Sequence, residues 1–206
     1  MKVDDLLDRL REFDLLLDTD PKFPSVTGLI APDEVRGSWW AHPRAHEMYE
    51  MACSIRAHPD VLMIKLISRK VTLVHRSLWP AAVAIAMARE PWQMRSLSKD
   101  ALALLKKVDK DSKLSATGDA VRELEARLLV HAESVHTERG FHAKAVQSWQ
   151  SWVKSVRLGK VKLTPAEARA QLEAVVSRIN KQFGAKGTLP WQRRSAAVRV
   201  ARSKRS

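Results

Sequence analysis

A mainly α fold with two small β-hairpins, an α+β arrangement with a winged-helix-like half, is what the sequence predicts. Three observations carry that expectation. Apolar residues recur at helical spacing in several separate stretches. Two runs rich in Val, Leu, Ile and Thr are each broken by a short polar turn. A 206-residue chain that is 45% hydrophobic has enough apolar material for a sizeable core.

The first helix is expected over Asp4 to Leu17, with Leu6, Leu7, Leu10, Phe13 and Leu17 on one stripe, before Pro21 and Pro24 break it. Ala45 to Ala57 reads as a second helix, ended by His58-Pro59-Asp60. VLMIKLI-SR-KVTLVHR is the clearest strand signal. A two-residue loop at Ser68 and Arg69 would pair Ile64 with Leu73, Lys65 with Thr72 and Leu66 with Val71, although Ser-Arg lacks the glycine or asparagine that a tight turn prefers. WPAAVAIAMARE then predicts a buried helix from Pro80, and Ser98 caps a helix DALALLKKV.

A further helix over Asp119 to Leu128 and a second hairpin, LLVHAESVHT and FHAKAVQSW around Glu138-Arg139-Gly140, complete the order helix, helix, two-stranded wing. The intervening DKDSKLSATG is long for a helix-turn-helix turn. Thr164-Pro165-Ala166-Glu167 is a capping box, and Ala168, Leu172, Val175, Val176, Ile179 and Phe183 form a stripe ending at Gly184. Beyond it, GAKGTLPWQRRSAAVRVARSKRS has no sustained stripe and reads as a flexible arm. The expected division is a helical region with a hairpin over 1–90, a winged-helix-like region packed on it over 91–152, and a basic helix plus arm over 153–206.

Charge is the strongest functional signal. Residues 151–206 hold 14 Lys and Arg against two Asp and Glu, leaving 22 against 21 in the first 150, so nearly all of the +13 excess lies in one quarter of the chain. Such a segment is an arm for a polyanion, most simply nucleic acid. Arg139 and Lys144 on the wing, with Lys186, Arg193, Arg194, Arg199, Arg202, Lys204 and Arg205, are the expected phosphate contacts. The second helix of the wing region carries Asp119, Arg122, Glu123, Glu125 and Arg127, a poor charge balance for a helix entering a phosphate-lined groove. A protein partner docking on residues 164–183 is the alternative.

RGSWWAHPRAHE, residues 36–47, places His42 and His46 four apart, a spacing that suits zinc on a helix. Pro43 puts His42 ahead of the helix, so no metal site is expected, and Trp39 and Trp40 are expected to wedge into the core. His131, His136 and His142 are expected as solvated wing histidines, with His136 and His142 close cross-strand neighbours. Cys53, the single cysteine, reads as a core residue, and no intramolecular disulfide is possible. No nucleophile, acid/base pair or glycine-rich phosphate loop can be picked out, so the catalytic residues are unknown and no cofactor is expected. The carboxylates scattered through the N-terminal apolar stretch and the shortness of the run Trp79 to Ala88 point to a cytoplasmic protein without membrane association.

GSWWAHPRAHE, KLISRKVTLVHRSLWP, REPWQ and RLLVHAESVHTERGFH together resemble an uncharacterised bacterial family over roughly residues 22 to 152. That family has no established activity to carry over. It usually has glycine in the first hairpin turn, where this chain has Arg69. A weaker resemblance is to the tandem winged-helix DNA glycosylases of the HQ family, whose motif is glutamine-x-glutamine or glutamine-x-aspartate. Here Gln147 and Gln150 are separated by Ser148 and Trp149, no Gln-x-Asp occurs, and that chemistry is not transferred.

Overall fold

In the computed structural model, residues 2–32, 39–136 and 142–192 are described. Helix α1 (Val3–Phe13) buries Leu6, Leu7, Leu10 and Phe13 and stops at Asp14, which takes a left-handed φ of 67°. The helix expected to continue to Leu17 therefore ends early. Leu15–Leu17 form strand β1 instead, with all three leucines buried. Three consecutive leucines cannot share one face of a helix, whereas a strand covered on both sides buries them all.

After α2 (Val26–Ile30) and α3 (Ala45–Arg56) come β2 (Val61–Ile64) and β3 (Thr72–His75). The first hairpin is present, and β1 joins it in the antiparallel order β1-β3-β2. Its register differs from expectation by one residue: Ile64 faces Thr72 and Met63 faces Leu73. Ser68 and Arg69 do form the turn, both with positive φ (52° and 62°), and Lys70 donates to the Ile67 carbonyl at 2.8 Å. The incoming side, however, holds one extra residue. That offset lets the adjacent Leu66 and Ile67 both be buried, and the Thr72 hydroxyl accepts from the Ile67 amide at 2.9 Å.

Helix α4 (Trp79–Ala88), with Pro80 in its first turn, is buried nearly all round and serves as the central pillar. A short α5 (Pro91–Met94) leads to α6 (Lys99–Asp111), where the Ser98 hydroxyl accepts from the Ala101 amide at 3.1 Å. DKDSKLSATG contains strand β4 (Lys113–Ala116), so the segment expected as an overlong turn is part of a sheet. After α7 (Asp119–Ala126), strands β5 (His131–His136) and β6 (His142–Gln147) form the second hairpin. The sheet is three-stranded and antiparallel, in the order β4-β6-β5. With about 55% of the described residues in helices and two such sheets, this is a mixed, helix-dominated α/β structure.

Helices α8 (Trp149–Ser155) and α9 (Pro165–Phe183) follow. The capping box forms as the sequence predicts: the Thr164 amide donates to Glu167 Oε2 at 2.8 Å and the Glu167 amide to Thr164 Oγ1 at 3.3 Å. Ala168, Leu172, Val176 and Ile179 are buried, and α9 packs along α4. Most of the apolar stripe that would serve a partner docking on residues 164–183 is thus covered by the chain itself, while Val175 is half-buried and Phe183 stays exposed.

Residues 185–192, expected as the start of a flexible arm, are folded onto the rest of the chain. Asn180 clamps Gly187 through both amide atoms, donating to its carbonyl at 2.8 Å and accepting from its N–H at 2.7 Å. A Cβ at Gly187 would lie 2.8 Å from Phe23 and 3.0 Å from Ile67, so only glycine allows this approach. Thr188 accepts from the Ser68 amide at the first hairpin turn, Leu189 is buried, and Trp191 donates to Glu173 Oε1 at 2.6 Å. Residues 185–192 are a strap across the first hairpin.

The apolar interior divides in two. One cluster joins α1, the first sheet, α3, α4, α8, α9 and the strap. The other lies within residues 97–146, between α6, α7 and the second sheet. Among the described residues no helix is long and apolar enough to cross a membrane.

Candidate nucleic-acid interface

The end of α8 and its connection to α9 carry Lys154, Arg157, Lys160 and Lys162, all exposed and none in an ion pair with a described residue. Arg157 has a φ of 52° where α8 ends. Lys181 and Lys186 are likewise exposed without an ion-pair partner among the described residues. Unpaired ammonium and guanidinium groups are the ones available to phosphates, because no carboxylate must be displaced first.

The other two cations described in this quarter, Arg169 and Arg178, are committed to the fold. Arg169 binds Glu90 at 2.6 Å and lies over the Trp191 ring. Arg178 binds Asp14 at 2.8 Å and donates to the carbonyls of Glu12 and Phe13, satisfying the end of α1. Net charge counts these two equally with the free ones, which is why sequence could not separate them.

Lys144 is engaged as well: its Nζ meets Glu125 Oε1, and Lys65 Nζ stands 3.3 Å from Glu125 Oε2. Glu125 is 8% exposed, and two flanking ammonium groups make its burial tolerable. This bridge ties the first hairpin to α7 and β6. Arg139, Arg193, Arg194, Arg199, Arg202, Lys204 and Arg205 lie outside the described residues. On α7, Arg122 pairs with Asp119 at 3.0 Å and Glu123 with Arg127 at 3.1 Å, leaving that helix little free positive charge.

His131, expected as a solvated wing residue, is 2% exposed and enclosed by the Trp149 and Trp152 rings, with Gln147 Nε2 at 3.2 Å from its Nδ1. Burial pushes its pKa down to about 4, with Lys113 adding to the shift. It turns inward because β5 forms one wall between the two apolar clusters. His136 and His142 are register partners, as the hairpin spacing predicts; their side chains lie outside the described residues.

His42 precedes α3, and its Nδ1 accepts from the Arg44 amide at 3.1 Å, while His46 pairs with Glu50 at 3.1 Å. Trp39 is half-buried and packs against the first apolar cluster, but Trp40 departs from expectation. Trp40 is 60% exposed, stacked on Trp39 with centroids 4.1 Å apart and tilted against Tyr49 at 5.5 Å. Met48, Ala52 and Ile55 already supply the buried face of α3, so Trp40 stands outside it. Cys53, expected in the core, is exposed on the same helix. Trp40→Ala should therefore lower stability by less than about 1 kcal/mol, as read from urea unfolding, since a large truncation penalty belongs to enclosed rings.

Comparison with known proteins adds no kinship: no protein-family model, curated protein or solved structure matches this chain.

Proposed function

We propose that this protein is a non-enzymatic nucleic-acid-binding protein whose C-terminal quarter grips the phosphate backbone of duplex DNA. The observation that carries this reading is the concentration of 14 cations against two carboxylates in residues 151–206, of which the described run Lys154 to Lys162 is exposed and unpaired. Residues 98–147 act in this reading as a winged-helix-like unit that supplies shape. A helix, a strand, a second helix and a two-stranded wing that pairs back onto the inserted strand support that assignment. The net negative charge of α7, with Asp119, Glu123 and Glu125 against Arg122, argues against a groove-reading role, so affinity comes mainly from phosphates and is largely independent of sequence.

The test is a salt titration of duplex DNA binding by the full chain and by a chain ending at Gln192. That truncation removes Arg193, Arg194, Arg199, Arg202, Lys204 and Arg205 and leaves the strap in place. Each phosphate contact contributes about −0.9 to the slope of log affinity against log salt, so loss of six contacts would flatten the slope by about 5. An unchanged slope would remove the arm from the interface. No DNA binding by the full chain, with capture of a protein partner instead, would favour the interaction-module reading.

A further inference from the structure

A polar cleft of about 370 Å³ opens where the end of α4, the end of α6 and the start of α8 meet. Lys154 and Gln150 line one wall from α8, with the Ser148 and Ser151 side chains beside them, and Arg89 and Asp109 face them. We propose that this cleft is a phosphate-binding site, deepening the nucleic-acid reading on which it rests by placing one backbone contact in the folded core rather than in the terminal arm.

Four features argue for a phosphate group. The lining is rich in N–H and O–H donors: a lysine, an arginine, an amide and serine hydroxyls. Its single carboxylate, Asp109, is already held by Arg89 Nη2 at 2.5 Å. The Arg89 guanidinium has further N–H donors beyond that bond, and its side chain keeps 43% of its surface exposed. Lys154 has no ion-pair partner among the described residues and begins the run continuing through Arg157, Lys160 and Lys162, so a strand lying along that run would bring a phosphate to the cleft.

The backbone is consistent with this use. Arg89 ends α4 with a φ of 48° and Ser112 ends α6 with a φ of 64°, positions where glycine is the unstrained choice. At Arg89 the side chain that strain retains is the one facing the cleft.

Two exposed positions allow a test that leaves the interior intact: Lys154→Ala removes the free ammonium, and Gln150→Glu adds a carboxylate to the same wall. Inorganic phosphate titrated into the full chain, followed by amide shifts of Gln150 and Ser151, should saturate. The response should be lost in both variants, with unchanged melting temperatures confirming that each is folded. With duplex DNA, Lys154→Ala should flatten the salt slope by about 0.9, and by the same amount in the chain ending at Gln192. Saturation in phosphate with an unchanged DNA slope would assign the cleft to a free phosphate group and overturn the backbone contact. Equal phosphate titrations of the full chain and the variants would overturn the site altogether. If the full chain failed to bind DNA, the nucleic-acid reading would fall, and the phosphate titration would still decide the cleft.

Discussion

Trp149→Ala should cost about 3 to 5 kcal/mol of stability, the range for emptying a fully enclosed large aromatic site. Trp149 is 2% exposed and its indole N–H donates to the Leu128 carbonyl at 2.8 Å. Its ring meets Trp152 at 5.5 Å and His131 at 5.7 Å, both near perpendicular. Truncation would open a cavity between the two apolar clusters and leave a buried carbonyl unpaired beside it. Chemical denaturation of the variant checks this, and a loss below about 1 kcal/mol would show that the aromatic junction does not hold the two halves together.

Acid should weaken the same junction. With its pKa near 4 in the folded chain and an ordinary value of 6.5 when unfolded, His131 binds a proton in the unfolded state first. Stability therefore rises with pH across that window: the contribution is complete above about pH 6.5 and is lost as pH falls from there toward 4. The shift corresponds to about 3 kcal/mol. Glu133 Oε1, 3.9 Å from His131 Nε2, is too exposed to offset the burial of an imidazolium. Urea unfolding at pH 7.5 and pH 4.5 measures the loss, and His131→Gln should make it smaller. An identical pH dependence in that variant would assign the acid sensitivity to other groups.

The elements legible in the sequence are those whose signal is local. The capping box at Thr164, the Ser98 cap and the proline in the first turn of α4 each depend on contacts within a few residues, and each forms as read. What sequence could not show depends on partners far along the chain. β1 becomes a strand because β3 is there to pair with it, and β4 because β6 is. The offset of the first hairpin depends on a core large enough to take both Leu66 and Ile67. Trp40 stands outside the core although its hydrophobicity favours burial, because hydrophobicity does not say which neighbours already fill the space. The proposed interface was legible as a charge excess. Its division into free cations and cations tied to Glu90, Asp14 and Glu125 required distances.

The strap at residues 185–192 sets an order of events while the chain is being made. Residues 97–146 hold a cluster of their own, so that part can collapse soon after it leaves the ribosome. The first hairpin and α4 are synthesised earlier but gain α9 and the clamp on Gly187 only at the far end. At typical elongation rates this leaves the first hairpin and α4 incompletely covered for roughly five to twenty seconds. Its leucine-rich strand and the buried face of α4 are then open to wrong partners, and a ribosome stalled before Leu189 would expose a nascent chain in which residues 97–146 are closed and the cluster around the first sheet and α4 is not.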